Sequence, residues 1–306
     1  MRTARVVAQA KVNLFLRILA QEASGYHQLE SLFCRLDLGD VVTLRTEVRG
    51  RSLDCAGEAM PADGLGPVEQ NLAWRAAVAY AEAAGWPAHF SIEIEKRIPV
   101  GGGLGGGSAD AGAVLRALNA LNPAPLPSSH IERVGTALGA DVPFLTQDVS
   151  PLALAWGRGE RLLTLPALPG RMCLLLLSRF GVSTKDAYGW LADGAPPSPE
   201  PQVYDAGSLS TWAAVEQLAF NSFELVVPPR FPSLDAMLKA FRSGLDPALE
   251  GAVVLLSGSG ATIFVLPSMS KSEHWAWQFG LDAPNQLLRI ITTTTSSHVE
   301  PVVVAD

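Results

Sequence analysis

Residues 99–110 read PVGGGLGGGSAD, and six of these twelve positions are glycine. Glycine loses more conformational entropy on folding than other residues. A stretch of this composition therefore indicates a structural or functional requirement that offsets the cost. Before it, apolar residues alternate with polar ones over 90–98, which is typical of a strand, and after it they recur at helical spacing over 111–121. A strand, a glycine loop and a helix N-terminus together form an arrangement that binds anions through backbone N–H groups and the helix dipole.

Three phosphate-binding patterns compete for this loop. The Walker A pattern requires a lysine where Gly107 stands, so it does not apply. The dinucleotide-binding pattern is matched by Gly101, Gly103 and Gly106, but the stretch NPAPLPSSHI lacks the acidic residue expected about twenty positions later. The protein-kinase loop needs a valine where Ser108 stands. A structural turn without a ligand is the remaining alternative to a phosphate-binding loop.

The composition is that of a globular protein with a negative net charge. The chain has 306 residues, of which 48% are apolar and 17% are charged, enough for one large domain or two medium ones. The formal net charge is -7, and no long run of lysine and arginine occurs. Because binding to a nucleic-acid backbone needs a basic surface, we expect no nucleic-acid partner.

The three cysteines, Cys34, Cys55 and Cys173, lie far apart and form no C-x-x-C pair. This spacing argues against a disulfide framework and a structural zinc site, and it favours free thiols in a reducing compartment. Lys11 interrupts the first apolar stretch, which makes the N-terminus a poor signal peptide, and no run of about 18 uncharged apolar residues occurs. We therefore expect a cytoplasmic protein without a membrane partner.

The N-terminal residues predict a long strand with one apolar and one polar face. Over 5–19 the even-numbered positions are apolar, whereas Lys11 and Asn13 project together from the polar face. Two further strands are expected within 27–48, on either side of a turn at 38–40.

Helices are expected on both sides of the glycine loop. The alanine-rich residues 71–84 predict a helix that ends at Gly85. A second helix, at about 129–138, places Asp141 just beyond its C-terminus. Ser108 is expected to be the N-cap of the helix that follows the loop.

The character of the sequence changes after residue 165. A buried strand is expected at 171–178, a hairpin around a second loop of small residues at 252–266, and a disordered tail from about 293. Strands and helices are mixed without regular alternation, so we predict an α+β protein with two lobes, 1–165 and 166–306.

The stretch PVGGGLGGGSADA resembles the phosphate-binding loop of the GHMP kinases, the superfamily of galactokinase, homoserine kinase and mevalonate kinase. AQAKVNLFLRILAQEASGYHQLESLF is similar to an N-terminal signature of that superfamily, and LSGSGATIFVL to its third motif, so that the similarity extends over 8–266. The resemblance implies the two-lobed GHMP kinase fold, with an N-terminal lobe like domain 2 of ribosomal protein S5 and a ferredoxin-like C-terminal lobe.

The resemblance also implies that the loop wraps the triphosphate of ATP through its backbone amides, with ATP and Mg²⁺ as cofactors. Ser108 is a possible ligand of Mg²⁺. Asn71 matches an adenine-pocket asparagine, although a helix N-cap explains it equally well. The residues implied in ATP binding are Asn71, Pro99, Val100, Gly101, Gly102, Gly103, Leu104, Gly105, Gly106, Gly107, Ser108 and Ala109.

By the same resemblance, Lys11 and Asp141 form the catalytic pair. Asp141 is expected to take the proton of the acceptor hydroxyl, while Lys11 keeps it ionised and stabilises the transferring group. Without the resemblance, Lys11 reads as a solvent-exposed strand lysine and Asp141 as a turn residue. A helix C-terminus favours a protonated Asp141, but a Lys11 ammonium within about 4 to 6 Å favours the carboxylate and should prevail.

The N-terminal signature, with its Gly-Tyr-His, resembles that of the members that phosphorylate the 2-hydroxyl of 4-diphosphocytidyl-2-C-methyl-D-erythritol in the non-mevalonate isoprenoid pathway. Aromatic faces stack on a nucleobase, which suits cytidine recognition. A strand histidine and a strand-surface lysine are the plain alternatives for His27 and Lys96. The residues implied in substrate binding are Asn13, Tyr26, His27, Lys96, Thr184 and Tyr188.

Two other functions remain open on the sequence. One is another small-molecule GHMP kinase such as homoserine kinase, and the other is a GHMP-fold ligand sensor without catalysis. In each case the partners are small molecules, here ATP and a cytidine diphosphate sugar alcohol, and the chain is expected to be a monomer or a weak homodimer. Gly258, Ser259 and Gly260 are expected to buttress the phosphate loop.

Overall fold

The computed structural model describes residues 2–22, 25, 27–194, 207–243, 251–268 and 287–305. In chain order the strands are β1 (Arg2–Gln21), β2 (His27–Thr46), β3 (Arg51–Ala56), β4 (Phe90–Glu95), β5 (Leu152–Gly157), β6 (Arg161–Leu165), β7 (Met172–Ser178), β8 (Val253–Leu256), β9 (Ile263–Leu266), β10 (Leu287–Thr294) and β11 (Val303–Ala305). The helices are α1 (Leu72–Ala84), α2 (Gly106–Leu121), α3 (Ser128–Leu138), α4 (Val142–Thr146), α5 (Thr184–Gly194), α6 (Trp212–Leu218) and α7 (Pro232–Arg242). Short 3-10 helices cover Val68–Gln70, Gly207–Leu209, Ser222–Leu225 and Pro228–Arg230.

A seven-stranded sheet is built around the long antiparallel pair of β1 and β2. The strand order is β11-β1-β2-β4-β3, and β5 and β6 extend the sheet from the other half of β2. In the β1 and β2 register, Lys11 lies opposite Arg35. Helix α2 packs against both strands, so the glycine loop that precedes α2 lies close to Lys11.

Residues 27–46 form one continuous strand, so the prediction of two strands around a turn at 38–40 is wrong. Gly39 stays paired with Gln9, and a bulge between Gln9 and Lys11 absorbs the extra residues of β2. The two halves of β2 then use different third partners, β5 over 29–34 and β4 over 41–46. Pairing with β1 over both halves keeps the strand continuous.

A four-stranded antiparallel sheet, in the order β10-β7-β9-β8, forms the second layer of the molecule. The expected hairpin is present as β8 and β9. One apolar core extends from the first sheet to Cys173, Leu175 and Phe264 of the second. The α+β class is therefore confirmed, whereas a lobe boundary at residue 165 stays a prediction.

The C-terminal tail is ordered, so the prediction of disorder from about residue 293 is wrong. Strand β11 pairs with the edge of β1, and the buried Gln9 side chain holds the segment between β10 and β11. Gln9 Nε2 donates to Ser296 Oγ at 2.9 Å, and Gln9 Oε1 accepts from the Glu300 N–H at 3.0 Å. These partners lie almost 300 residues away in sequence, and local polarity alone does not reveal them.

The local helix predictions are confirmed in most details. Helix α1 ends at Gly85, which has a φ of 63° as a left-handed C-cap requires. Helix α2 begins earlier than expected, because Gly105 is its N-cap with a φ of 73°. Ser108 therefore lies in the first turn of α2 and is not the N-cap. Within the described ranges, none of the helices has the length and apolar character needed to cross a bilayer.

Candidate active site

The glycine loop borders a cavity of about 180 Å³, here called the glycine-loop cavity. Gly101, Gly103 and Gly105 have φ values of 77°, 78° and 73°, a backbone region that favours glycine. Positive φ values therefore alternate along residues 101–105, and the backbone of the loop lines the cavity. Asn71 lines the same cavity, and its side chain also accepts the Ala73 N–H at 2.9 Å, as expected for a helix N-cap.

A second cavity, of about 330 Å³, lies on the other side of the loop and is here called the central cavity. Gly103 and Gly105 line both cavities, so the two spaces meet at the loop. Ser108, in the first turn of α2, lines the central cavity. A group bound along the loop would therefore border both spaces.

Lys11 and Asp141 meet in the central cavity, as the sequence predicts. Lys11 Nζ lies 3.3 Å from Asp141 Oδ2 and donates to Asn13 Oδ1 at 2.9 Å. The Asn13 amide in turn donates to Ser31 Oγ at 2.7 Å. Lys11 is only 4% exposed, so the alternative of a solvent-exposed strand lysine is wrong.

Asp141 lies between two helices. Helix α3 ends at Leu138, which is the helix C-terminus expected from the sequence. Asp141 is also the N-cap residue of α4, an element that the sequence analysis did not predict, although its side chain makes no capping hydrogen bond. Its carboxyl group is paired with the adjacent Lys11 ammonium.

Arg35 holds the other end of α4. Its Nη2 donates to the carbonyl oxygens of Phe144, at 2.7 Å, and Gln147, at 2.8 Å. Lys11 contacts Asp141 at the N-terminal end of α4, and Arg35 contacts carbonyl groups at its C-terminal end. Lys11 and Arg35 lie opposite each other on β1 and β2, so this facing pair contacts both ends of α4. Burial and the nearby Arg116 lower the pKa of Arg35 to about 9, so it stays charged at neutral pH. Nothing in the sequence marked Arg35, since its role depends on strand register.

An aromatic pair lies beside the central cavity. The His27 and Tyr188 rings are stacked, with centroids 4.7 Å apart and an interplanar angle of 24°. Burial lowers the pKa of His27, so the ring is neutral at pH 7. Thr184 lines the cavity with its hydroxyl 3.0 Å from Ser259 Oγ. Tyr26 lies outside the described residues.

Lys96 is placed apart from the other predicted substrate residues. It lines the glycine-loop cavity, where its buried Nζ contacts Asp40 and lies 2.6 Å from Asp110 Oδ2. Burial lowers the pKa of Lys96, but the two carboxylates outweigh this effect and raise it. Asp40 Oδ1 also accepts the N–H groups of Arg97 and Ile98, so the cluster joins both ends of the glycine loop. The alternative of a strand-surface lysine is wrong.

One carboxylate oxygen of Asp110 lacks a hydrogen-bond partner within this cluster. Its Oδ1 is buried and has no hydrogen-bond partner among the described residues. Burial and the neighbouring Asp40 carboxylate raise the pKa of Asp110, although Lys96 opposes the shift. Three buried ionisable groups therefore lie beneath the loop, and two of them are carboxyl groups.

The second loop of small residues packs directly against the glycine loop. Ser257 Oγ donates to the carbonyl oxygen of Gly103 at 3.0 Å. A Cβ atom at Gly103 would lie 2.0 Å from the Ser257 carbonyl oxygen, so no side chain fits there. Gly258 and Ser259 also line the central cavity, in addition to the buttressing contact that was expected.

Most of the predicted site residues thus divide between the two cavities. Ala109, which is buried in α2, and His27 line neither of them. Those in the central cavity are Lys11, Asn13, Gly103, Gly105, Ser108, Asp141, Thr184 and Tyr188. Those in the glycine-loop cavity are Asn71, Lys96, Pro99, Val100, Gly101, Gly102, Gly103, Leu104, Gly105, Gly106 and Gly107.

Comparison with known proteins shows the family to which the chain belongs. The family described as GHMP kinases N terminal domain matches residues 71–148. A relative from Deinococcus radiodurans, named 4-diphosphocytidyl-2-C-methyl-D-erythritol kinase, is 39% identical over 263 residues, covering 85% of this chain and 82% of its own. The chain belongs to the 4-diphosphocytidyl-2-C-methyl-D-erythritol kinase family. A relative of the same name from Geobacter sp. (strain M21) is 36% identical over 87% of this chain and 90% of its own.

Solved structures place this kinase family member in the expected fold. A crystal structure of 4-(cytidine 5'-diphospho)-2C-methyl-D-erythritol kinase aligns with a TM-score of 0.69 at 32% identity, over 95% of this chain and 99% of that one. Homoserine kinase from Cytophaga hutchinsonii aligns with a TM-score of 0.66 at 21% identity, over 99% and 97% of the two chains. The second match shows a shared fold alone. The prediction of a two-lobed GHMP kinase fold is confirmed.

One further residue of this kinase was missed by the sequence reading. Arg158, in the turn between β5 and β6, lines the central cavity together with Lys11 and Asp141. Its neighbours Gly157 and Gly159 mark a turn, and no local pattern distinguishes a turn arginine that faces a cavity from one that faces solvent.

Proposed function

We propose that this protein transfers the γ-phosphoryl group of ATP to the 2-hydroxyl of 4-diphosphocytidyl-2-C-methyl-D-erythritol, a step of the non-mevalonate isoprenoid pathway. One observation supports the proposal above the others: the Lys11 and Asp141 pair, 3.3 Å apart, borders the same cavity as Gly103 and Gly105 of the glycine loop. A hydroxyl in that cavity lies between a base and the terminal phosphate that the loop would bind. The substrate follows from the family to which the chain belongs.

In this mechanism Asp141 accepts the hydroxyl proton while the acceptor oxygen forms a bond to the γ-phosphorus. The bond from that phosphorus to the bridging oxygen of ADP breaks, and ADP leaves with the electron pair. Lys11 and the N–H groups of the loop stabilise the negative charge on the transferring group. Asn13, bonded to both Lys11 and Ser31, fixes the ammonium in place.

Magnesium fits this site as a companion of the nucleotide phosphates. Among the described residues, no group of three or more His, Cys, Asp or Glu side chains could hold a metal ion. Mg²⁺ commonly keeps several waters and binds through substrate phosphates and few protein groups. The Ser108 hydroxyl, at the start of α2, is the residue we propose to hold it. When bound, the ion neutralises charge on the β- and γ-phosphates.

We propose that His27 and Tyr188 hold the cytosine ring, with Tyr26 as a further aromatic partner. The neutral His27 imidazole stacks on Tyr188, which lines the central cavity, and in this proposal the cytosine ring extends the aromatic stack. Thr184 supplies a neighbouring hydrogen-bonding group. Asn13, which contacts Lys11, binds the erythritol hydroxyls or their phosphate in this proposal. Adenine recognition is assigned to the glycine-loop cavity, where Asn71 and Lys96 lie.

The test is a panel of acceptors incubated with MgATP: 4-diphosphocytidyl-2-C-methyl-D-erythritol, homoserine, mevalonate and galactose, with ADP release as the readout. We expect turnover of the first acceptor alone. Turnover of another acceptor would replace the proposed substrate. Tight binding of the first acceptor by calorimetry without any ADP release would support the alternative of a ligand sensor.

Other properties of the proposed enzyme stay predictions from the sequence. They are a cytoplasmic location, a monomeric or weakly dimeric state, and partners limited to small molecules. Sedimentation velocity over a range of protein concentrations tests the oligomeric state.

A further inference from the structure

The central cavity is lined by a second cationic residue that the proposed chemistry does not use, Arg158. Arg158 also lines a neighbouring cavity of about 550 Å³ together with its ion-pair partner Glu22. Among the described residues that line it, the two cations are Lys11 and Arg158. Lys11 is committed to Asp141 and Asn13. Arg158 does not line the glycine-loop cavity, so its guanidinium is separate from the predicted ATP phosphate site.

Arg158 lies between the two ends of the cavity. Its neighbour Gly157 pairs with Leu29 of β2, two residues after His27 of the aromatic pair. Its other neighbour, Gly159, packs on Ala140, where an added Cβ would lie 3.4 Å from the Ala140 Cβ atom. Ala140 immediately precedes Asp141. The turn that carries Arg158 therefore connects the base-binding end with the catalytic end.

The order of these groups matches the order of groups along the proposed substrate. In 4-diphosphocytidyl-2-C-methyl-D-erythritol, a negatively charged diphosphate stands between the cytidine and the sugar alcohol that accepts the phosphoryl group. With cytosine at His27 and the acceptor hydroxyl at Asp141, the diphosphate falls where Arg158 lies. A planar guanidinium binds two phosphate oxygens with two parallel N–H groups, a fixed geometry that a lysine ammonium lacks.

We infer that Arg158 binds the diphosphate of the acceptor substrate and makes the site select a cytidine diphosphate over an uncharged nucleoside. This inference rests on the proposed function, because the acceptor supplies the diphosphate. Arg158 is a specificity residue for the acceptor and takes no part in proton transfer.

Glu22 holds the Arg158 guanidinium with the same two-point geometry. Arg158 Nε lies 3.3 Å from Glu22 Oε1, and Nη2 lies 2.5 Å from Oε2. The Arg158 side chain is 44% exposed, and such surface ion pairs contribute little free energy. Exchanging the Glu22 carboxylate for phosphate oxygens therefore costs little.

The experiment compares calorimetric affinities of the full chain for CDP and for cytidine. Wild-type protein is expected to bind CDP more tightly. Arg158→Gln is expected to lower the CDP affinity by about tenfold, as for a lost charged hydrogen bond, while the cytidine affinity changes by less than about twofold. Arg158→Lys keeps the positive charge but loses the planar two-point geometry of the guanidinium. Its CDP affinity should lie between those of the wild type and Arg158→Gln.

Arg161→Gln is the matched control. It removes the same charge from the same hairpin, yet Arg161 does not line the central cavity. Its preference for CDP should equal that of the wild type. Glu22→Gln removes the competing carboxylate and should leave the CDP affinity equal or higher. Unfolding temperatures of all variants report whether each one is folded.

The outcomes separate this inference from the proposed function. If wild-type protein prefers CDP and Arg158→Gln keeps the full preference, the inference is wrong while the function stands. An equal loss for CDP and cytidine also overturns it, because Arg158 would then shape the pocket without contacting phosphate. A wild-type protein that binds neither probe overturns both. Loss of the preference in Arg158→Gln alone supports the assignment.

Discussion

Replacing Gly103 with alanine tests whether the second loop of small residues sets the position of the glycine loop. Gly103 has a φ of 78°, which costs an alanine about 1 kcal/mol. The new Cβ would lie 2.0 Å from the Ser257 carbonyl oxygen and 3.3 Å from that of Gly260. Both are backbone atoms and cannot rotate away. Ordinary contact begins at 3.4 Å, so one of the loops has to move by more than about 1 Å.

A shift of that size at reacting groups lowers turnover by about 10²-fold, and we expect kcat to fall by that amount in Gly103→Ala. Steady-state kinetics with ATP and acceptor varied separately measures it, with circular dichroism to establish that the variant is folded. Ser257→Ala removes only the hydrogen bond to Gly103 and should lose less than about tenfold. Gly189→Ala is the control, since no atom lies within 4 Å of its added Cβ. Wild-type kinetics in Gly103→Ala would refute the reasoning.

Three further outcomes are expected. Asp141→Asn should lower kcat by about 10² to 10⁴, because an amide cannot take the hydroxyl proton, with the KM for ATP nearly unchanged; undiminished turnover removes Asp141 from that role. His27→Ala should raise the KM for the cytidine substrate much more than the KM for ATP, because its ring stacks on Tyr188 of the central cavity; the opposite pattern means that the two cavities are exchanged. The unfolding temperature of Asp110→Asn minus that of the wild type should increase as the pH rises from about 4 to about 8. The raised pKa of Asp110 makes the wild type lose stability over that range, whereas the amide does not titrate. A difference that stays constant with pH contradicts the pKa shift.

Local patterns predict the parts of this molecule that local rules govern. The glycine loop and the C-cap at Gly85 follow from backbone conformations that only glycine adopts easily, and the structure has positive φ values at Gly85, Gly101 and Gly103. Lys11 and Asn13 share a strand face because side chains alternate with a period of two, and they are hydrogen-bonded to each other.

Predictions failed where the deciding partner lies far away in sequence. The tail was expected to be disordered because terminal segments are commonly poorly ordered, yet the edge of β1 and the Gln9 side chain supply its hydrogen bonds. Residues 38–40 form no chain-reversing turn, because β1 continues opposite both halves of β2 and pairs with Gly39 and Asp40. Lys96 is buried because Asp40 and Asp110 surround it.

Adjacent or regularly spaced residues were enough to predict the glycine loop and the α+β class, and by resemblance they led to Lys11 and Asp141 as the predicted catalytic pair. The three-dimensional arrangement was needed to show that Lys11 reaches Asp141, that Arg35 contacts the C-terminal end of α4, and that Arg158 lines the same cavity. Charge pairing and burial could not be predicted in this way, because they depend on distances in space. Strand register and sheet order set those distances, and no short stretch of sequence contains them.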